Sequence, residues 1–193
     1  MKKAAKLIRI LTIAPLMAAG MLILLFFTKP EILGGLPSFW CAILFLTVLP
    51  ILAYPMQPLF PHYRELGREG QRSLAILFAV AGYILGCVSN LFFSAGLGMW
   101  IIYLEYLLSG MGILICNKVF RLKASGHACG VAGPVVLLIY FGVPAAIFGT
   151  VLLGLVLAAS LITKRHTWQQ FLGGAFISVA SMCLLVLIFN MIL

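Results

Sequence analysis

Long uninterrupted apolar runs decide what this chain can fold into. Seven such runs lie at 10–27, 39–54, 74–93, 99–116, 128–142, 144–163 and 171–193. A helix that crosses the hydrocarbon layer of a membrane needs about 20 apolar residues, and 64% of the chain is apolar while only 9% is charged. We therefore predict an all-α fold, a polytopic membrane helical bundle of about six to seven transmembrane helices, in which residues 1–193 form a single domain.

The first run follows a basic stretch and in this respect resembles a secretory signal peptide. It is preceded by four cations, Lys2, Lys3, Lys6 and Arg9. The apolar region of a signal peptide has only about 7–15 residues, and the run 10–27 is longer. We therefore expect a retained first span, although the small residues at 18–20 leave cleavage open.

The charges are distributed unevenly between the predicted faces of the bundle. Seven spans would place the N-terminus and the loops 61–73, 117–127 and 164–170 on one face, and every Lys and Arg except Lys29 lies there. The same face holds all three histidines, His62, His127 and His166. Because Lys and Arg are enriched in cytoplasmic loops, we predict a multi-pass protein of the cell (plasma) membrane with its site-bearing loops in the cytoplasm. Cations gathered in the loops to bind a phosphate would give the same pattern.

The acidic residues exclude one large class of phosphate chemistry. The chain has no aspartate and only four glutamates, Glu31, Glu65, Glu69 and Glu105, whereas enzymes that hold catalytic Mg²⁺ do so mainly with carboxylates. Chemistry in this chain must therefore use His, Lys, Arg, Ser or Glu, and we expect no metal, no cofactor and no nucleic-acid partner. Glu105 is the one acid inside an apolar run, where it is either a functional carboxylate or a protonated structural one.

One loop carries residues typical of an anion site at the start of a helix. It ends with Lys123, Ser125, Gly126 and His127. Ser125 and Gly126 suit an N-cap position, where backbone N–H groups and the helix dipole favour a phosphate. In the helix that follows, Gly130 and Gly133 would let another helix approach closely. The alternative is a basic juxtamembrane loop that only contacts lipid head groups.

Two further loops on the same face supply a second candidate histidine and more cations. The loop 164–170 holds Arg165 and His166, and the third loop holds Arg68 and Arg72. Each loop alone would be an interfacial anchor or a solvated charge run. Together the loops provide two histidines and several fixed cations without a pair of acids. That combination fits phosphoryl transfer through a histidine nucleophile, with the cations neutralising the phosphate oxygens.

These segments resemble the signatures of the type 2 phosphatidic acid phosphatase (PAP2) superfamily of membrane lipid phosphatases. Residues 123–133 resemble the second signature, residues 165–174 resemble the third, and the stretch 68–72 lies where the first belongs. The resemblance covers about residues 60–178 and implies a membrane-embedded, metal-independent phosphatase. Its substrate would be a lipid phosphate or an isoprenyl (di)phosphate, hydrolysed through a phosphohistidine intermediate.

The resemblance also implies a role for each matching residue. His166 would be the nucleophile that accepts the phosphoryl group, and His127 would be the general acid that protonates the leaving oxygen. Gln170 would orient the imidazole ring of His166. The phosphate would be bound by Lys123, Ser125, Gly126 and Arg72, with Arg68 and Arg165 as stand-ins for cations of the family pattern.

The sequence departs from the family pattern at four positions. The first signature usually has a Lys and a Pro where this chain has Glu65 and Ser73, and the third has an Arg and an acid where it has Ser160 and Gln170. The neutral amide of Gln170 can hold the tautomer of His166 but stabilises an imidazolium less well than a carboxylate. Ser160 and Gln170 favour an alternative of a different class, a catalytically weakened relative that binds, senses or moves lipid phosphates.

Overall fold

The computed structural model of the chain describes residues 2–93 and 96–192. Helices account for 87% of it, and no described residue lies in a β-strand. The α-helices are α1 (Lys2–Leu11), α2 (Ala14–Thr28), α3 (Leu36–Ile43), α4 (Leu49–Met56), α5 (Pro61–Glu65), α6 (Gly67–Phe92), α7 (Leu97–Leu114), α8 (Gly126–Tyr140), α9 (Ala146–Ile162) and α10 (Trp168–Ile192). Single π-helical turns at Leu44–Val48 and Ile115–Val119 join α3 to α4 and extend α7. The all-α prediction is confirmed.

Fewer helices are long enough to cross a membrane than the apolar runs predict. The segments Leu36–Leu59, Gly67–Phe92, Leu97–Val119 and Trp168–Met191 qualify by length and composition, and the bent pair α1–α2 brings the number to at most five. Helices α8 and α9 have 15 and 17 residues. At about 1.5 Å per residue, helices of that size reach about 22–26 Å, less than the ~30 Å hydrocarbon layer. The predicted count of six to seven is not confirmed, and the described chain supports four to five.

The first apolar run is divided between two helices. Helix α1 ends at Leu11, α2 begins at Ala14, and their axes differ by 58°. Pro15 explains the break, because proline has no N–H to donate and its ring clashes with the carbonyl four residues earlier, which belongs to Leu11. The expected first span at 10–27 therefore begins with the last two residues of an amphipathic basic helix, and the remainder, after the break, is an apolar helix.

Close contacts divide the chain into two compact units, and the candidate histidines of the signatures belong to the first. This unit comprises Met1–Met21 and Leu104–Leu193, and the second comprises Leu22–Tyr103. In the first unit α8 packs against α9 and α10, and α1 packs along α9. The helices surround a cluster of fully buried side chains, Ala128, Val131, Val156 and Phe171. Burying such apolar side chains stabilises the fold by about 1.5–3 kcal/mol for each large one.

The second unit is built around α6. Helices α3, α4 and α5 pack against it. Nε2 of Gln57 donates hydrogen bonds to the carbonyls of Tyr63 at 2.9 Å and of Gly67 at 2.7 Å, which fixes the turn that leads into α6. Arg68 and Arg72 follow in the first two turns of α6, where both side chains are exposed.

Candidate functional site

Helix α8 begins where the sequence predicts an N-cap. The Oγ atom of Ser125 accepts a hydrogen bond from the N–H of Ala128 at 3.2 Å. The Ser125 side chain is fully buried, and its own N–H donates to the carbonyl of Gln170 at 2.9 Å. The N-cap prediction is confirmed. Because the Oγ atom and the N–H of Ser125 both have protein partners, its contact with phosphate stays a prediction.

The hydrogen bond from Ser125 to Gln170 joins the two loops that carry the candidate histidines. Gly174, one turn further along α10, permits this contact, because a Cβ atom there would collide with the Ser125 carbonyl. The start of α8 therefore lies directly against the start of α10. His127 is at the first of these helix starts and His166 precedes the second.

His166 lies in the turn before α10, where Gln170 holds its ring. Nδ1 of His166 is 3.3 Å from Oε1 of Gln170. The same Oε1 accepts a hydrogen bond from the N–H of Thr167 at 3.2 Å, and Oγ1 of Thr167 accepts one from the N–H of Gln170 at 3.3 Å. This reciprocal pair is a capping box. Because Oε1 acts as an acceptor, Nδ1 of His166 is the donor, and the lone pair of the neutral ring lies on Nε2.

His127 is the second residue of α8 and contacts Thr12, which follows the end of α1. Nε2 of His127 is 3.2 Å from Oγ1 of Thr12, and that hydroxyl donates its single proton to the carbonyl of Ile8 at 2.8 Å. Thr12 therefore accepts the bond from His127, and Nε2 carries the proton of the neutral ring. The second proton that a general acid needs would bind at Nδ1.

The surroundings of His127 favour its neutral form. Burial is the largest cause, followed by the positive charges of Arg9 and His166, and together they lower its pKa from 6.5 to about 4. A general acid must be protonated before it acts. A bound phosphate, whose negative charge opposes these effects, would raise the pKa of His127.

The other predicted phosphate ligands lie at three places. Gly126 is the first residue of α8, and Lys123 precedes the helix in a left-handed conformation (φ 52°) with its side chain exposed. Arg165 is exposed beside His166, and its N–H donates to the carbonyl of Ser160 at 3.1 Å. The two remaining candidates, Arg68 and Arg72, belong to the second unit.

Helix α1 contributes contacts that the sequence analysis missed. Nη1 of Arg9 donates a hydrogen bond to Oγ1 of Thr163 at 3.1 Å, in the turn that leads to His166. Since Thr12, just after α1, is hydrogen-bonded to His127, α1 and the turn that follows it contact the segments of both histidines. The sequence offers one signal for these contacts: the spacing of Ala5, Arg9 and Thr12 places all three on one face of a helix. The basic composition of the N-terminus by itself predicts only the orientation of the chain in the membrane.

Glu105 occupies a separate buried position. Oε1 of Glu105 accepts a hydrogen bond from Oγ of Ser178 on α10 at 2.7 Å. Gly133 on α8 lies against the same carboxyl group, where a Cβ atom would be 3.1 Å from Oε2. A Cβ at Gly130 would collide with Ala14, so the close approach predicted for both glycines is confirmed. Because Glu105 links α7 to α10 through a neutral hydroxyl, the structure favours the structural alternative for it.

Comparisons with known proteins add no relative. No family model, no curated protein and no solved structure matches the chain. Among residues 2–93 and 96–192, no three His, Cys, Asp or Glu side chains are grouped so that they could hold a metal ion. The resemblance of 123–133 and 165–174 to the phosphatase signatures therefore stays a prediction from the sequence.

Proposed function

We propose that this chain is a membrane-embedded phosphatase that hydrolyses a lipid phosphate or an isoprenyl (di)phosphate through a phosphohistidine. One observation supports this most: the histidine-bearing starts of α8 and α10 are joined by the 2.9 Å hydrogen bond from Ser125 to Gln170. Burial, and then the nearby positive charges of Arg9 and His166, lower the pKa of His127. A protein that only binds phosphate has little need for both histidines.

The proposed reaction has two steps. In the first, the Nε2 lone pair of His166 attacks phosphorus, the bond from phosphorus to the leaving oxygen breaks, and Nδ1 of His127 gives its proton to that oxygen. In the second, neutral His127 takes a proton from a water molecule whose oxygen attacks phosphorus, and the N–P bond breaks. Phosphate is released, His166 regains its lone pair, and His127 regains its proton.

Cations and backbone groups near the histidines support binding of the phosphate. The exposed side chains of Lys123 and Arg165 adjoin the two histidine-bearing segments. The N–H groups of Gly126 and His127 lie at the start of α8, at the positive end of the helix dipole, which favours an anion. The N–H of Ala128 in the same turn donates to Oγ of Ser125. Gln170 acts as a positioning residue, because its bond to Nδ1 of His166 keeps the lone pair on Nε2.

The apolar helices support a substrate with a hydrocarbon tail. Four to five of them are long and apolar enough to span a membrane, and large apolar side chains such as Phe92 on α6 and Phe176 on α10 are exposed on their surfaces. A lipid or isoprenyl phosphate can leave its tail among the acyl chains of membrane lipids while its phosphate reaches the cationic loops.

The decisive experiment is an assay of the purified protein in lipid nanodiscs. Phosphate release from phosphatidate, an isoprenyl monophosphate and an isoprenyl diphosphate would be measured in the presence of a chelator. Release from at least one substrate above the rate of empty nanodiscs is expected. Absence of release from all of them would favour the binding protein described next.

A catalytically weakened protein that binds, senses or moves lipid phosphates is the second candidate. Two observations favour it. Gln170 provides a neutral amide, which stabilises the imidazolium of His166 less well than an acid would. The position of the Arg in the third signature is held by Ser160, which is fully buried on α9. That position therefore provides no cation for the site. Such a protein would bind a lipid phosphate in the nanodisc without releasing phosphate from it.

Phosphate release is expected to continue in EDTA and to be inhibited by orthovanadate. The chain has no aspartate and only four glutamates, and the described residues contain no group of three His, Cys, Asp or Glu side chains that could hold a metal ion. Vanadate mimics pentacoordinate phosphorus, and such analogues bind more tightly than substrates. The check is the initial rate with EDTA, with added Mg²⁺ and with increasing vanadate. An absolute requirement for Mg²⁺ would contradict the proposed mechanism.

The histidine-bearing loops are proposed to face the cytoplasm of a cell whose plasma membrane holds the protein. Leu97–Val119 is one of the helices long enough to cross the membrane, so residues before and after it would lie on opposite sides. In a variant without the native cysteines, an impermeant thiol reagent added to intact cells should label Gly96→Cys but not Gln169→Cys. The predicted loop 94–98 also includes Ser94 and Ala95, which lie outside the described residues. The reverse labelling pattern would overturn the orientation and leave the chemistry unaffected.

A further inference from the structure

The N-terminal helix α1 contacts both histidine-bearing segments of the first unit. Arg9 donates from Nη1 to Thr163 at 3.1 Å, three residues before His166. One turn later, Thr12 accepts the hydrogen bond from Nε2 of His127 at 3.2 Å. Residues three apart on a helix lie on the same face. The break before α2 separates α1 from the apolar helix and lets it pack along α9.

We propose that Arg9 is a phosphate-binding residue of the histidine site, so that α1 is part of the site and does more than set the orientation of the chain. This inference rests on the proposed function for the identity of the anion. A guanidinium group stays charged at every physiological pH and can donate two parallel hydrogen bonds to phosphate oxygens. The half-buried position of Arg9 and its bond to Thr163 hold that group in place.

The charge balance of the first unit supports an anion as the ligand. Residues Met1–Met21 and Leu104–Leu193 carry nine Lys and Arg residues but a single acid, Glu105, and that acid is buried and bonded to Ser178. Arg9 also acts on His127, whose pKa it helps to lower. An arginine that disfavours protonation of His127 in the empty site would instead stabilise a phosphate bound between them.

Arg9 has an alternative, purely structural role that the test must separate. Its bond to Thr163 lies at the C-terminal end of α9, where a positive charge stabilises the helix dipole. Arg9→Gln removes the charge but keeps a donor for Thr163. Thr163→Val removes the bond but keeps the charge. Lys6→Gln removes a charge from the exposed part of the same helix and serves as the matched control.

The experiment measures the binding of inorganic phosphate to the full chain in nanodiscs through the NMR signals of the histidine side chains. KM and kcat are also measured for a lipid phosphate. Arg9→Gln should weaken phosphate binding by about tenfold to a hundredfold, the range for loss of a charged hydrogen bond. Arg9→Lys should recover part of it. Lys6→Gln should bind as the wild type does, and Thr163→Val should lose less than Arg9→Gln. In Arg9→Gln, KM for the lipid phosphate should rise by a larger factor than the factor by which kcat falls.

The outcomes distinguish this inference from the proposed function. If the wild type binds phosphate through Arg9 but releases none from lipids, the phosphatase is wrong and the inference stands. If the wild type is active and Arg9→Gln binds phosphate normally, the inference is wrong and the phosphatase stands. If thermal unfolding shows that Arg9→Gln does not fold, the variants Arg9→Lys and Thr163→Val decide. The inference is overturned if Arg9→Lys binds phosphate as the wild type does while Thr163→Val binds it more weakly than Arg9→Lys. A wild type that binds no phosphate overturns it as well.

Discussion

Replacing His166 with alanine is expected to abolish phosphate release from every substrate. The proposed reaction proceeds through a bond between Nε2 of His166 and phosphorus, and no other group replaces a missing nucleophile. Removal of the nucleophilic serine of a serine protease lowers kcat by about 10⁶-fold. The rate of the His166→Ala protein should therefore fall to that of empty nanodiscs. The measurement is phosphate release from a lipid phosphate and from an aryl phosphate.

A trapped intermediate and a third histidine make the test specific. Brief incubation of the wild type with labelled substrate should give a phosphoprotein that is labile in acid and stable in alkali, and His166→Ala should give none. His62 is exposed in the second unit, so His62→Ala is a matched control that should retain full activity. If His166→Ala hydrolysed the aryl phosphate at the wild-type rate, the assignment of the nucleophile would be wrong.

The apolar runs predicted the helical fold, but the predicted number of six to seven membrane spans is not confirmed. Hydropathy measures composition, and the runs that became α8 and α9 are as apolar as the others. What separates them is length: with 15 and 17 residues, these helices are shorter than the about 20 residues that a span needs. The break in the first run, by contrast, was readable from Pro15, since proline disrupts the helix that precedes it.

Local features of the site were predictable and its long-range contacts were not. The N-cap at Ser125 follows from the preference of serine for that position. The capping box of α10 was also present in the sequence as Thr167 and Gln170 three residues apart. The bonds from Arg9 to Thr163 and from Thr12 to His127 join residues 154 and 115 positions apart. No local pattern specifies such pairs, because they depend on how α1 packs against α9.

The lowered pKa of His127 changes what the proposed general acid can do. With a pKa of about 4, the ring of the free protein is almost entirely neutral at pH 7, with about one molecule in a thousand protonated. The resemblance alone implies a protonated His127 ready to act. With the lowered pKa, His127 must first become protonated, and either a low pH or the negative charge of a bound phosphate would increase its protonated fraction.

Replacing His127 with alanine is expected to slow the hydrolysis of lipid phosphates by about 10²–10⁴-fold, the usual contribution of a general acid. An alkoxide is a poor leaving group and needs the proton, whereas an aryl oxide leaves without one. His127→Ala should therefore lose much less activity on an aryl phosphate. The measurement is the ratio of kcat/KM for a lipid phosphate to kcat/KM for an aryl phosphate, in the wild type and the variant.

The pH dependence of that ratio tests the protonation of His127 separately from the protonation of His166. Both substrates need neutral His166, so its titration cancels in the ratio, and only the lipid substrate needs protonated His127. Since the pKa of His127 is lowered to about 4, its protonated fraction grows as the pH falls from 7 towards 4. The wild-type ratio should rise by about tenfold per pH unit over that interval. In His127→Ala the ratio should be low and independent of pH, and a pH-dependent ratio in that variant would assign the general acid to another group.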